Sequence, residues 1–133
     1  MSTRCQIGFY EDGEKNLQNF EALIYRHCDG YPDSEHGVIA TVVPILKGFD
    51  KERGLDDIEY ASAWLVKELK TDVLNIGICK FFHVDIEYFY AVYPDRLDVY
   101  ETTFGWNSND DGCKETSKWL KEWKKIESVS LKD

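Results

Sequence analysis

Hydrophobic residues along this chain change spacing twice, from period two to period 3.6 and back, and each change removes a set of possible folds. Arg4 to Tyr10 alternates, with Cys5, Ile7 and Phe9 on one side and Arg4, Gln6, Gly8 and Tyr10 on the other. That is the pattern of a strand with one buried face. After the turn dipeptide within Glu11-Asp12-Gly13-Glu14, Phe20 to Arg26 resumes strand character with apolar residues on both faces. The two runs are expected to pair as a hairpin with a long loop. Asp29-Gly30-Tyr31-Pro32-Asp33 then breaks the chain, because Gly tolerates positive φ and Pro biases Tyr31 away from helix.

Val38 to Phe49 is apolar on too many sides for a solvent-facing strand and too long for most buried ones. It predicts a largely buried helix opening near Ser34 to Gly37. Pro44 either occupies the first turn of a helix that starts near Thr41 or kinks one that starts at Val38, and Gly48 and Gly54 bracket the exit. A second helix is capped by Asp56 or Asp57 and carries Ile58, Ala61, Leu65 and Leu69 at helical spacing up to Lys70. Period two returns from Gly77. Ile78, Phe82 and Val84 lead into Glu87 to Tyr93, Pro94-Asp95-Arg96 turns the chain, and Leu97 to Thr102 alternates again as the second arm of an antiparallel pair. After the polar loop from Gly105 to Gly112, Thr116, Trp119, Trp123 and Ile126 align as one stripe of a third helix, Cys113 to Ile126, with a frayed tail after Glu127. The expectation is one α+β domain over residues 1–133: an antiparallel sheet of about four to five strands with three helices packed mainly on one face.

Composition narrows the functions. A chain of 133 residues with 43% hydrophobic and 14% aromatic content can bury a core without disulfides or a structural metal. Sixteen Lys and Arg against 25 Asp and Glu give a net charge of −9, which opposes broad binding to nucleic acid or to anionic membranes. Met1 to Phe9 holds no signal-like apolar run, and nowhere does an uncharged stretch approach a membrane span of roughly 18 residues. Cys5, Cys28, Cys79 and Cys113 are scattered singly, which reads as four reduced thiols in a cytoplasmic protein. Monomer and homodimer are both compatible with this composition.

Polar groups gather most densely at the end of the second strand, in Tyr25-Arg26-His27-Cys28-Asp29-Gly30-Tyr31-Pro32 followed by His36-Gly37. A strand end facing a helix N-terminus favours anions, since backbone N–H groups and the helix dipole point there. Arg26, His27, Asp29, Tyr31 and His36 are therefore the candidate ligand-binding residues, for a phosphorylated small molecule or an acidic group. The bland alternative is that Asp29 and Gly30 make a turn, Arg26 pairs with a carboxylate and the tyrosines pack. An enzyme acting on a phosphoester or nucleotide would use His27 or His36 as acid or base, with Asp29 orienting it. On the last helix Lys114, Lys118, Lys121 and Lys125 repeat as a basic stripe, a candidate surface for an acidic partner.

Other constellations carry less. His27, Cys28, Asp29 and His36 are all metal-ligand types, but neighbours on a strand point to opposite faces. Cys79 and His83 are separated on an extended strand by roughly 13 Å, too far for one ion. Asn107 to Gly112 is similar to the start of a calcium loop, but its twelfth position is Lys118. No metal or cofactor is expected. Cys28 beside His27 offers a thiol and a base without a third partner. Tyr88, Tyr90 and Tyr100 could stack bases, which the net charge opposes.

The strings YRHCDGYP, GVIATVVPIL, DDIEYASAWLV and DIEYFYAVYP together resemble an uncharacterised family of small phage, bacterial and archaeal proteins. Members open on a short strand similar to Ser2-Thr3-Arg4, carry a Tyr-Arg-x-x-Asp-Gly-Tyr-Pro block and continue into an apolar helix. The likeness spans residues 2 to about 100. It implies a fold and, through its phage association, a role in host interaction or anti-defence; it implies no reaction, cofactor or catalytic residue.

Overall fold

The alternation at the N-terminus becomes β1 (Cys5–Phe9), and Cys5, Ile7 and Phe9 all enter one core cluster. The computed structural model describes residues 3–102, 120 and 122–132. Within them follow β2 (Ala22–Arg26), α1 (Val38–Glu52), α2 (Ile58–Leu69), β3 (Ile76–Ile78), β4 (Tyr88–Val92), β5 (Arg96–Glu101) and β6 (Lys124–Ser130). One sheet holds all six strands in the order β3-β2-β1-β4-β5-β6. β1 and β4 run parallel in its centre, with Ile7 opposite Tyr90, and every other pair is antiparallel.

This corrects the expected antiparallel sheet of four to five strands with three helices. The sheet is mixed and six-stranded, and the described residues hold two helices. The helices α1 and α2 connect β2 to β3, which pair antiparallel; the parallel pair arises one step later, where residues 79–87 carry the chain from β3 past β2 and β1 so that β4 enters the sheet in the direction of β1. The expected third helix is overturned at its end. Lys124 to Ile126 belongs to β6, Trp123 is buried, and Ile126 is 43% exposed, so they share no buried stripe. The tail after Glu127 pairs with β5 and is capped by buried Leu131, whose N–H donates to Asp95 O. Residues 103–119, including the polar loop and the first part of that helix, lie outside the described residues.

Both faces of the sheet are covered. On one, Cys5, Ile7, Phe9, Ile24, Tyr90, Val92, Leu97 and Val99 pack against Val42, Leu46, Ala61 and Leu65 of the helices. On the other, Leu23, Phe89, Ala91 and Tyr93 meet loop residues Phe82, Ile86 and Trp123. The strands therefore carry apolar residues on both sides, as the run in β2 suggested. Among the described residues, two buried polar side chains serve the second face. Gln6 donates from Nε2 to Phe81 O and accepts from His83 N, which pins the 79–87 loop; Asp98 accepts from Ser128 Oγ at 2.7 Å and from Arg96 Nε at 3.2 Å.

α1 begins at Val38 and runs through Pro44, so Pro44 is interior to the helix. Its ring points to solvent, where the lost hydrogen bond is least costly. α2 follows Asp57, whose carboxylate takes Arg53 Nε at 2.6 Å instead of capping the helix.

Candidate functional site

The Tyr-Arg-x-x-Asp-Gly-Tyr-Pro block turns out to build the joint between β2 and α1. Asp29 stands in the left-handed region at φ 60°, a conformation Asp tolerates better than most residues, and this reverses the chain. Gly30 then passes so close to β1 that a Cβ there would lie 2.8 Å from Cys5 Cβ and from Thr3 O. Its N–H donates to Thr3 O and its carbonyl accepts from buried Tyr90 Oη at 2.5 Å. The carbonyls of Tyr31 and Pro32 accept from the N–H groups of Val38 and Ile39. Backbone thus caps α1, and two of its first N–H donors, offered by sequence reasoning to an anion, are already occupied.

Arg26, the last residue of β2, points to the helix side. Its Nη1 donates to Thr41 Oγ1 at 3.0 Å, and that hydroxyl donates in turn to Gly37 O at 2.8 Å. The threonine proton is committed, so Thr41 can only accept from the guanidinium. Beside this pair opens a cavity of about 520 Å³ between the end of β2, α1, the end of α2 and the turn at 71–75. Asn75 shapes that turn: its Nδ2 donates to Leu69 O and Thr71 Oγ1, and its Oδ1 accepts from the N–H groups of Thr71 and Asp72. Among the described residues of the cavity wall Arg26 is the one cation, against Asp29, Glu68 and Asp72. Among the described residues no carboxylate lies within ion-pair distance of Arg26, so the bland pairing expected for it is absent there.

Of the five residues proposed for the junction, the structure brings Arg26 and Asp29 to this cavity. His27 and Tyr31 are not among its lining residues, and neither is His36. His27 points to the opposite face of the sheet, where Nδ1 lies 2.8 Å from Tyr25 Oη. Tyr31 Oη donates to Asp29 Oδ1 at 2.8 Å, so the aspartate braces the turn and does not orient a histidine. His36 is largely exposed, with Nε2 3.4 Å from Glu35 Oε1. Of the basic stripe, Lys125 stands on β6 with Nζ 3.9 Å from Asp98; Lys114, Lys118 and Lys121 lie outside the described residues. The described residues contain no group of three His, Cys, Asp or Glu side chains arranged to hold a metal.

A second cluster escaped sequence reasoning because β3 was read as continuing through Phe82 and Val84. β3 ends at Ile78, and the chain curls back so that Cys79 Sγ lies 3.7 Å from His83 Nε2. Their roughly 13 Å separation on a strand is therefore wrong. His83 stacks on Tyr25 with ring centroids 5.0 Å apart, and its Nδ1 is 3.9 Å from Asp85 Oδ1. Asp85 is also ion-paired to Arg4. Burial raises the Cys79 pKa, which hydrogen bonding to Gln6 opposes; burial likewise raises that of Tyr25, which Arg4 opposes. No local signal revealed this: Phe81 and Phe82 are strand formers, and the curl is held by the hydrogen bonds of Gln6 to Phe81 O and His83 N–H, from a strand distant in sequence.

Fold and cavity define a small α+β protein with a mixed sheet and a polar cavity at the end of one strand. No protein-family model matches this chain, and no curated protein or solved structure matches it. No helix among the described residues is long and apolar enough to cross a membrane.

Proposed function

We propose that this chain is a small-molecule binding protein whose site is the cavity at the end of β2. The ligand carries a phosphate or carboxylate, met by Arg26, and hydroxyl or amino groups, met by Asp29 and Asp72. The observation that carries this reading is a half-buried guanidinium in a cavity wall, held at one nitrogen by Thr41 and ion-paired to no described carboxylate. A guanidinium so fixed keeps donors in a planar fork that matches a phosphate or carboxylate edge. The three described carboxylates of the wall, Asp29, Glu68 and Asp72, disfavour a bare polyanion. They suit a ligand that is anionic at one end and rich in donors at the other, such as a phosphorylated polyol or nucleotide.

Thermal unfolding against nucleotides, signalling nucleotides and sugar phosphates tests the proposal. A ligand at about 100 times its Kd adds roughly 2.7 kcal/mol, a shift of several degrees at this chain length. The expected result is a selective shift that Arg26→Ala abolishes and Arg26→Lys reduces, with both variants folded. A shift that survives Arg26→Ala would overturn the site. A flat response across the panel would overturn the ligand class and turn attention to an acidic protein partner.

A further inference from the structure

The cluster on the far side of the sheet from Arg26 has the order of a nucleophilic relay. A thiol faces one nitrogen of an imidazole, and a carboxylate faces the other: Cys79 Sγ to His83 Nε2 is 3.7 Å, and His83 Nδ1 to Asp85 Oδ1 is 3.9 Å. The ring is held by its stack on Tyr25 and by the His83 N–H donated to Gln6 Oε1 at 2.9 Å, while Arg4 holds Asp85. A carboxylate near Nδ1 favours the tautomer with its proton there, which leaves Nε2 as the acceptor facing sulfur. The site is open to solvent, with the His83 side chain 40% exposed and that of Asp85 30%. Cys79 also lines a cavity of about 410 Å³ at the open edge of β2, whose wall includes Leu23, Ile24, Val66 and Ile78. Its described lining suits an apolar group and includes a single carboxylate, Glu21.

We propose that Cys79, His83 and Asp85 form a catalytic relay that hydrolyses esters or thioesters of small apolar acids, with the acyl chain in the cavity beside Cys79. His83 Nε2 takes the Sγ proton as sulfur adds to the carbonyl carbon. The bond from that carbon to the leaving oxygen or sulfur breaks, and His83 returns the proton to the leaving group. Water then adds to the acyl-cysteine with His83 taking its proton; the carbon–Sγ bond breaks and sulfur recovers that proton. The net reaction is ester plus water to acid plus alcohol, or thiol, with no change of oxidation state. Asp85 acts through the imidazole and is a positioning residue.

The protein with p-nitrophenyl butyrate provides the test. Release of p-nitrophenol should accompany a mass increase of one butyryl group, which peptide mapping assigns to Cys79. Cys79→Ala should reduce release to background, and His83→Phe, which keeps the stack on Tyr25, should slow acylation by about 100-fold or more. Alkylation of Cys79 by iodoacetamide separates this from a structural contact: its rate and pH profile should change in His83→Phe, and the profile should also move in Asp85→Asn. If Cys79→Ala does not fold, the alkylation profiles decide. Wild-type turnover in Cys79→Ala, acylation elsewhere only, or a profile unmoved by His83→Phe would overturn the proposal.

Discussion

Two glycines in α1 and its cap ask opposite things of their neighbours. A Cβ on Gly37 would stand 2.1 Å from Asp33 O and 2.8 Å from Tyr31 O, and the latter carbonyl already caps Val38. Both obstacles are backbone, so the turn itself must move. Gly37→Ala should destabilise by roughly 2–3 kcal/mol, read as a lower urea midpoint. Gly48 lies inside the same helix with nothing within 4 Å of its ideal Cβ. Gly48→Ala should therefore stabilise by about 0.5–1 kcal/mol through helix propensity. If the two changes have the same sign, the packing of the cap is misassigned. The junction between β2 and α1 is legible in the sequence only in part. Asp29, Gly30 and Pro32 announced a turn from their own backbone preferences, but which of Arg26 and His27 would face the helices depended on where the strand stopped, and strand ends are set by pairing partners distant in sequence.

Among the elements, β1 and the β4–β5 hairpin were legible because alternation and a short turn are local signals. The helices were legible for the same reason, through Ala61, Leu65 and Leu69. The parallel pairing of β1 with β4 was not, since Ile7 and Tyr90 are joined by no turn. β6 was misread because Trp119, Trp123 and Ile126 happen to fall at helical spacing, while its segment Lys-Lys-Ile-Glu-Ser-Val-Ser is too charged to advertise a strand. Edge strands are charged for a reason, because unpaired backbone invites association. The importance of β6 lies at its end. Leu131 is 1% exposed in the helix-side core, so Leu131→Ala should cost about 3 kcal/mol. Lys132 reaches Asp50 of α1 at 3.0 Å from an exposed position, and Lys132→Ala should cost under about 1 kcal/mol. A frayed tail would make both changes neutral in chemical unfolding.

For the whole molecule, burying hydroxyl and thiol groups in two cores predicts sensitivity to alkali. Burial pushes Cys5 up to about 12, with nearby Arg26 acting against it, and Tyr93 to about 12. Burial also raises Tyr10 and Tyr90, the latter bonded to Gly30 O. Above the ordinary pKa the unfolded chain has lost protons that the folded one keeps, so unfolding releases protons and stability falls as pH rises. These contributions are intact below about pH 9 and are lost from there upward, at up to about 1.4 kcal/mol per pH unit for each group. Urea midpoints should fall steeply between pH 9 and 11; an unchanged midpoint would contradict the burial of these groups.

The central claim, that the end of β2 is a ligand site anchored on Arg26, is tested most directly by following the ¹⁵N-labelled protein in NMR as the best ligand of the thermal panel is added. The proposal predicts saturable shifts concentrated on Arg26, Asp29, Thr41 and the turn at Thr71 to Asn75, with the Arg26 side-chain signal among them. Shifts centred on the opposite face, or on surface lysines with no change at Arg26, would contradict it.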